Sequence, residues 1–386
     1  MKSIDKSAEY RAAHDFMDAM IGTSQRPHEG NLQFVEKIGN YLAELGLHTY
    51  TVADPEYSDR VLLLADIGNP EAEQALGLIS HCDVVGVTPE EWHTDPWKLA
   101  VKDDLFIGRG VLDTHATAVG MVLAGLRPAV QNQLAENGKK LTLAFTYDEE
   151  ADDHMSFRGA QNAAGLLLDT PASLTAPYFI AGEPTEANGI ITPMRANKGR
   201  HLQTFTVEVE NPGHSAQDVQ NANTLATKLA ALFVNFNETT LRDFEVPADI
   251  AELFDFARST LVETEVFGKS DKSSTTARTR GTTFDLRTLP RVHHEQIAAW
   301  NSIVEDFRAN LPDWATLSVE QKDSFAATES RADSPIVQIA EQVTGTAARG
   351  FSGGDEGEVM RRKPGVDGVT IGPGSLEYAH QSNEHI

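Results

Sequence analysis

The sequence predicts an α/β protein of two domains: a mixed-sheet catalytic domain with helices on both faces, and an inserted α+β domain of ferredoxin-like type. Three observations lead there. The chain has 386 residues, 40% of them hydrophobic, more than one compact core usually holds. Strand-length apolar runs alternate with helical stretches over residues 61–181, the rhythm of an α/β sheet. The texture changes near Gly199 and reverts after Asp323, as an insertion into the first domain would make it do.

Residues Met1–Gly22 read as an amphipathic helix and not as an export signal. Val61–Asp66, Leu76–Ser80, Leu141–Thr146 and Tyr178–Ala181 are strand-like, and Thr117–Glu136 and Ser156–Leu168 are helical. Pro128 predicts a kink or a restart within the first of those helices. Beyond Gly199 come an alternating strand Gln203–Glu210, a helix Asn223–Phe236, a strand Thr282–Leu286, a helix His294–Asn310 and a strand Ala315–Gln321. Two strand–helix units in that order suggest a small α+β sandwich. The segment Phe267–Arg280, rich in Lys, Ser, Thr and Arg, reads as a mobile loop. A helix Pro335–Val343, a Gly-rich turn Ser352–Gly354 and a buried strand Gly368–Ile371 then complete the first domain. The expected division is 1–198 with 322–386, and 199–321.

Asp and Glu outnumber Lys and Arg by 57 to 32, for a formal charge of −25. Such a polyanion repels phosphate backbones and anionic lipid, which argues against nucleic acid and membrane as partners. No run reaches the ~20 apolar residues of a membrane-spanning helix. The single cysteine, Cys82, excludes an internal disulfide and a cysteine-rich zinc site, so any metal must be held by histidine and carboxylate. A reducing cytoplasmic setting is the expectation.

Ligands in open α/β sheets gather at the carboxyl ends of strands. Five segments put a candidate there: His81 and Asp83 after GLIS, Asp113 ending GRGVLD, Glu149 and Glu150 ending LAFTYDEE, Glu183 ending YFIAGE, and His380 ending GVTIGPGSLEYAH. One such residue is more often a cap or turn residue than a ligand. Five together match the donor set of two divalent metals sharing a carboxylate, with mixed imidazole and oxygen ligation suited to Zn²⁺, Co²⁺ or Mn²⁺. Two such ions polarise a scissile carbonyl and acidify water, so the chemistry points to a hydrolase. On a regular strand Glu149 and Glu150 would face opposite ways, leaving one to ligate and the other to act as general base. Asp83, two residues from His81, would project to the same side and could orient its imidazole.

The ordered motifs SHCD, GRGVLD, DEE, GEPT, GHSAQDVQNAN and GPGSLEYAH resemble the metallohydrolase family of acetylornithine deacetylase, succinyl-diaminopimelate desuccinylase and carboxypeptidase G-type enzymes. The resemblance covers nearly the whole chain and is nearest to the bacterial acetylornithine deacetylases, through EWHTDPWKL, GEPTEANGI, MRANKG, DLRTLP and GPGSLEYAH. It implies that His81 and Glu183 hold one metal and Glu150 and His380 the other, that Asp113 bridges them, and that Glu149 is the base. It further implies that the insertion is a lid and a dimer contact, that His214 stabilises an oxyanion, and that Arg287 grips a substrate carboxylate. His115 departs from the family pattern and reads as a helix N-terminal residue. In FSGGDEGE, the acids Asp355, Glu356 and Glu358 fall where relatives contact the distal substrate group, with Glu356 foremost, and acidity there would favour a cationic side chain.

The resulting expectation is a two-metal amidohydrolase, loaded with Zn²⁺ or with Co²⁺ in its place, acting on an N-acyl amino acid, with N-acetylornithine favoured. Desuccinylation and exopeptidase action are close rivals because the same centre serves all of them. A catalytically silent metal-binding paralogue is the alternative outside enzymology, and a free carboxylate at Glu149 speaks against it.

Overall fold

The computed structural model describes residues 8–386 except 28, 151–164, 168–173, 218 and 269–273. The expected helix Ser156–Leu168 therefore lies largely outside the described residues, as does the middle of the expected loop Phe267–Arg280. The chain divides into two compact units: Met1–Arg195 with Glu329–Arg349 and Asp355–Ile386, and Ala196–Thr328 with Gly350–Gly354.

In the first unit α1 (Ala8–Ile21) buries Phe16, Met17, Met20 and Ile21, and α2 (Leu32–Glu44) buries Phe34, Ile38 and Leu42, the spacing of one helical face. Strands β1 (His48–Ala53), β2 (Val61–Gly68) and β3 (Glu73–His81) follow, then a hairpin of β4 (Ala100–Lys102) and β5 (Leu105–Ile107). The interior of β2 is buried throughout, as in a strand covered on both faces. Helices α3 (Ala116–Gly125) and α4 (Pro128–Asn137) are separate: Arg127 is extended and Pro128 opens α4. Pro128 thus restarts the helix and does not kink it, its fixed φ suiting a first turn. Next come β6 (Lys139–Thr146), β7 (Tyr178–Ala181), a short ribbon of β8 (Glu186–Ala187) and β9 (Ile190–Ile191), and β10 (Met194–Asn197).

The second unit runs β11 (Gly199–Val209), α5 (Ala222–Asn235), β12 (Thr260–Phe267), β13 (Thr279–Thr288), α6 (His293–Ala309) and β14 (Ala315–Phe325). Its sheet has the order β12-β13-β11-β14, antiparallel throughout. A βαββαβ chain with its first and third strands central is the ferredoxin-like arrangement. Strand β12 is absent from the sequence reading; it is an edge strand, exposed from Val262 to Phe267, so no hydrophobic alternation marks it. A register shift beside Leu202 and Gln203 lets β14 continue to Phe325, beyond the expected end at Gln321. The core joins both helices to the sheet: Trp300 of α6 stacks on Phe233 of α5 at 3.9 Å between ring centroids, with Phe205 and Phe284 edge-on.

The chain returns through β15 (Thr328–Glu329), α7 (Pro335–Thr344), β16 (Arg349–Phe351), α8 (Glu356–Arg361) and β17 (Asp367–Thr370). The main sheet has the order β1-β2-β6-β3-β7-β17-β10-β15, and β16 also pairs with β10. Strands β6, β3, β7 and β17 are parallel, and β1, β2 and β10 run antiparallel to their neighbours. Register places His81 opposite Thr146, Ile79 opposite Ala181, and Ala181 opposite Thr370. Four carboxyl ends therefore open on one edge. Among the described residues no helix is long and apolar enough to cross a membrane.

Trp300 is fully buried and donates its indole N–H to Gln203 Oε1 at 2.7 Å. Trp300→Ala should destabilise the second unit by about 3–5 kcal/mol, the usual cost of emptying a large aromatic site. Urea unfolding that showed a loss below about 1 kcal/mol would contradict this account of the core.

Candidate metal centre

The parallel register delivers the donors. His81 ends β3, Glu183 lies two residues beyond β7, and the loop after β17 carries the chain to His380. Gly372 in that loop passes so close to Glu183 that a Cβ would sit 2.6 Å from its carbonyl oxygen, which only glycine permits. Asp113 arrives from the side, in a turn at Val111–His115 opened by the left-handed Gly110 (φ 88°).

Glu149 and Glu150 do not lie on a strand. β6 ends at Thr146, and Asp148 adopts φ 57°, so the two acids occupy a turn and diverge through its curvature, not through the alternation expected of an extended chain. Asp148 is held there by a buried ion pair with Arg60 at 2.6 Å, while the Tyr147 hydroxyl donates to Asp54.

His81 is the hub. Its Nε2 lies 3.2 Å from Asp113 Oδ1 and 3.7 Å from Glu183 Oε1. Donor atoms of His81, Glu149 and Glu183 lie within 4.8 Å of one another, as do those of His81, Asp113 and Glu150. His380 Nε2 is 2.9 Å from Glu150 Oε2 and 3.3 Å from Asp113 Oδ2. Asp113 thus faces one imidazole with each oxygen, which is the geometry a bridging carboxylate needs.

His81 Nδ1 lies 2.9 Å from the main-chain carbonyl of Asp83, and the Asp83 carboxylate is 3.9 Å away. The carbonyl, not the expected carboxylate, orients the ring. With Nδ1–H donated there, Nε2 is left as the lone-pair nitrogen aimed into the cluster. The Asp83 carboxylate instead accepts from the Glu150 N–H at 2.9 Å.

The charges crowd. Burial pushes Glu149 and Glu183 well above the usual carboxylate range, and neighbouring acids add to this against the pull of His81. Burial opposes protonation of His81, but Asp113, Glu149 and Glu183 together raise it. Hydrogen bonds to Asp113 and Glu150 lift His380 to about 10. Glu183 Oε1 is buried without a hydrogen-bond partner among the described residues. A buried orphan oxygen is costly unless a cation meets it. His81, Asp113, Glu150, Glu183 and His380 therefore fit two divalent ions sharing Asp113, with Glu149 beside them.

The acids of FSGGDEGE are buried, not a solvated turn. Asp355 caps α8 through the Glu358 N–H at 3.0 Å and takes the Thr370 hydroxyl, and Glu358 pairs with Arg362. Glu356 accepts from the Thr146 hydroxyl with one oxygen, while its Oε2 is buried without a partner among the described residues. In the second unit, Arg287 on β13 is held through Nε and Nη2 by Asp285 at 3.0 and 3.1 Å. His214 is exposed in its turn, its Nδ1 accepting from the Ala216 N–H at 3.2 Å.

Sequence reasoning missed Arg60, Asp148 and Glu384, which support the ligands from behind. His115 stands where expected, at the N-terminus of α3 as its N-cap residue; it is also fully buried, with Nε2 2.9 Å from Ser24 Oγ, and burial lowers its pKa to about 3.

Metal loading should raise stability, by ~4 kcal/mol with free metal a thousandfold above Kd. The gain should depend on pH. Glu149, Glu183, His81 and His380 all have folded pKa values raised above their ordinary ones, so in the metal-free protein their contribution is present at low pH and is lost as pH rises. The Tm difference between loaded and chelated protein should widen from about pH 5 to about pH 8. A constant difference would contradict this charge arrangement.

The protein is 25% identical over 362 residues to an acetylornithine deacetylase of Vibrio parahaemolyticus serotype O3:K6 (strain RIMD 2210633), an alignment covering 93% of this chain and 87% of the relative. Its fold matches a tripeptidase of Staphylococcus aureus subsp. aureus Mu50 with a TM-score of 0.69 at 16% identity, over 97% of this chain and 93% of the other. A dinuclear metal-binding M20 peptidase of Bacillus subtilis matches with a TM-score of 0.63 at 12% identity, over 98% and 92%. Residues 77–386 match the profile of peptidase family M20/M25/M40. With its histidine and carboxylate cluster at the carboxyl edge of the sheet, the chain belongs to peptidase family M20/M25/M40 and is a metallohydrolase.

Proposed function

We propose that the protein hydrolyses the amide bond of an N-acyl amino acid, with N-acetylornithine as its substrate, using two Zn²⁺ or Co²⁺ ions in the cytoplasm. The observation that carries this reading is Glu356, whose Oε2 is buried without a hydrogen-bond partner among the described residues, although the charge of His81 reaches the group. Glu356 also raises the proton affinity of Glu149 and Glu183 through its charge, which puts it in the field of the centre. A substrate ammonium, such as ornithine's, would complete it. The name of the curated Vibrio relative supports the same choice.

When bound, the two ions supply Lewis-acid polarisation of the scissile carbonyl and acidify the attacking water. The chain's own groups do the rest. Glu149, raised by burial, takes a proton as the water oxygen bonds to the acyl carbon. The same proton passes to the nitrogen as the C–N bond breaks, giving a free amine and a carboxylic acid. Asp83 fixes the His81 tautomer with its carbonyl and ties down Glu150 with its carboxylate. Arg60 and Asp148 hold the turn that presents Glu149. Exopeptidase action uses the same steps, and the tripeptidase with a matching fold keeps it as the second reading.

Glu149→Gln should keep both metals and lose about 10²–10⁴-fold in turnover, whereas Glu150→Gln should weaken one metal. Elemental analysis beside kinetics separates the two, and the reverse pattern would exchange base and ligand.

N-acetylornithine should outperform its near isostere N-acetylnorvaline by about tenfold to a hundredfold in kcat/KM, the value of a charge-assisted contact of roughly 1.5–3 kcal/mol. Glu356→Gln should erase that preference and leave the neutral substrate's rate nearly unchanged. Equal rates in the unmodified enzyme would move the reading to a broad acylase or a peptidase, and an equal fall for both substrates in the variant would make Glu356 a tuner of Glu149.

A further inference from the structure

Behind the bridging carboxylate lies a second acid that touches no other donor of the centre. Glu384 is 1% exposed, and its Oε1 accepts two main-chain hydrogen bonds, from Leu112 N at 2.9 Å and Asp113 N at 3.1 Å. Its Oε2 accepts from Arg109 Nη1 at 2.5 Å. Arg109 is itself 3% exposed, lies over the Trp92 ring at 5.3 Å, and donates from Nη2 to the Gly86 carbonyl at 3.3 Å. A buried carboxylate with both oxygens committed, one to a guanidinium and one to a pair of amides, is rigidly held.

The surrounding segment is pinned as an added strand. Phe106 and Ile386 exchange main-chain bonds at 2.8 and 3.0 Å, and Gly108 N donates to the Glu384 carbonyl at 3.1 Å. Ser382 and Asn383 bond to Glu91 at 2.7 and 3.0 Å. The same short stretch begins with His380, whose Nε2 faces Glu150 and Asp113. One segment therefore provides a donor at one end and grips the backbone of Asp113 at the other.

We propose that Glu384 is a positioning residue: anchored by Arg109, it fixes the Leu112–Asp113 backbone so that the Asp113 carboxylate spans both metal positions, and it couples filling of the His380 side to the aim of that bridge. This inference rests on the two-metal reading of the centre. Asp113 enters from a turn with non-helical torsions at Asp113 and Thr114, so no helix or strand ladder holds it. Glu384 is what holds its amide. Losing the clamp frees the carboxylate to favour one ion over the other, and the second ion suffers first.

The test is metal binding to the full-length protein, not activity. Co²⁺ is titrated calorimetrically into chelated wild type, Glu384→Gln, Glu384→Asp, and Ser382→Ala as a control for tail anchoring alone, with visible absorption of the Co²⁺ forms recorded alongside. Outer-layer hydrogen bonds are typically worth 10–100-fold in metal affinity, so Glu384→Gln should weaken the second equivalent by about that factor. It should change the Co²⁺ spectrum, with the first equivalent much less affected. Ser382→Ala should match wild type, and Glu384→Asp should recover part of the loss. Should Glu384→Gln fail to fold, Arg109→Lys, which keeps a cation but not the fork, should give the same selective loss in smaller measure. Wild-type affinities and spectrum in these variants would overturn the proposal, as would equal weakening by Ser382→Ala. Wild type that bound no Co²⁺ would instead overturn the metal reading itself.

Discussion

The rest of this structure depends on one constraint: four carboxylates must share a small space with the buried His81 at one edge of a sheet, where the exposed His380 closes the rim. Asp113, Glu149, Glu150 and Glu183 would repel one another strongly at the distances observed if water did not screen them, and burial removes most of that water. The raised proton affinities of Glu149 and Glu183 express the cost. Folding here is thus tied to cations, whether protons or metal ions, and the architecture serves to hold the acids together against their own repulsion.

The holding is done from behind, by groups that are themselves buried and paired. Arg60 and Asp148 fix the turn that carries Glu149 and Glu150. Ser80 and Thr114, hydroxyl to hydroxyl at 2.6 Å, tie the residue before His81 to the one after Asp113. Asp355 both caps α8 and takes the Thr370 hydroxyl at the end of β17, which sets α8 and its Glu356 beside the sheet edge. Each support is buried and local, so strain at the cluster need not spread into the core of α1, α2 and the sheet.

The sheet was legible in the sequence because its central strands are buried on both faces and appear as apolar runs, β2 and β7 at nearly their observed limits. Edge strands were not: β1 alternates between exposed and half-buried residues and β12 is almost wholly exposed, so neither leaves a hydrophobic signature. The donors were legible because parallel register forces strand ends together, and a His, Asp or Glu at each of several ends is a coincidence that chance seldom supplies. Their supports were not. Arg60, Asp148 and Glu384 act through ion pairs and main-chain amides whose partners lie elsewhere in the chain, up to 275 residues away for Glu384 and Arg109, and no local spacing marks such a pair. The orienting role of the Asp83 carbonyl was hidden for a further reason, since every residue has a carbonyl and only the fold selects one.

That last point bears on how the centre can work. His81 is oriented by a main-chain carbonyl, Glu150 is tethered through its own N–H, and Asp113 is gripped through two amides. In each case one partner belongs to the backbone, which is fixed by the sheet and its adjoining turns and does not reorganise when a metal or substrate arrives. A site tethered in this way keeps its donor directions with the metals removed, so binding does not have to order the side chains at the same time. No such tether is described for the carboxylate of Glu149 or for that of Glu183, whose Oε1 is buried without a hydrogen-bond partner among the described residues. The base proposed at Glu149 would be served by that freedom, since it meets a proton at one atom and releases it at another, whereas Glu183 would be fixed by the cation that meets its buried oxygen. Glu150 is held through its own N–H by Asp83 and through its carboxylate by His380, and this hold distinguishes it from the adjacent Glu149, which the sequence presents as its equal.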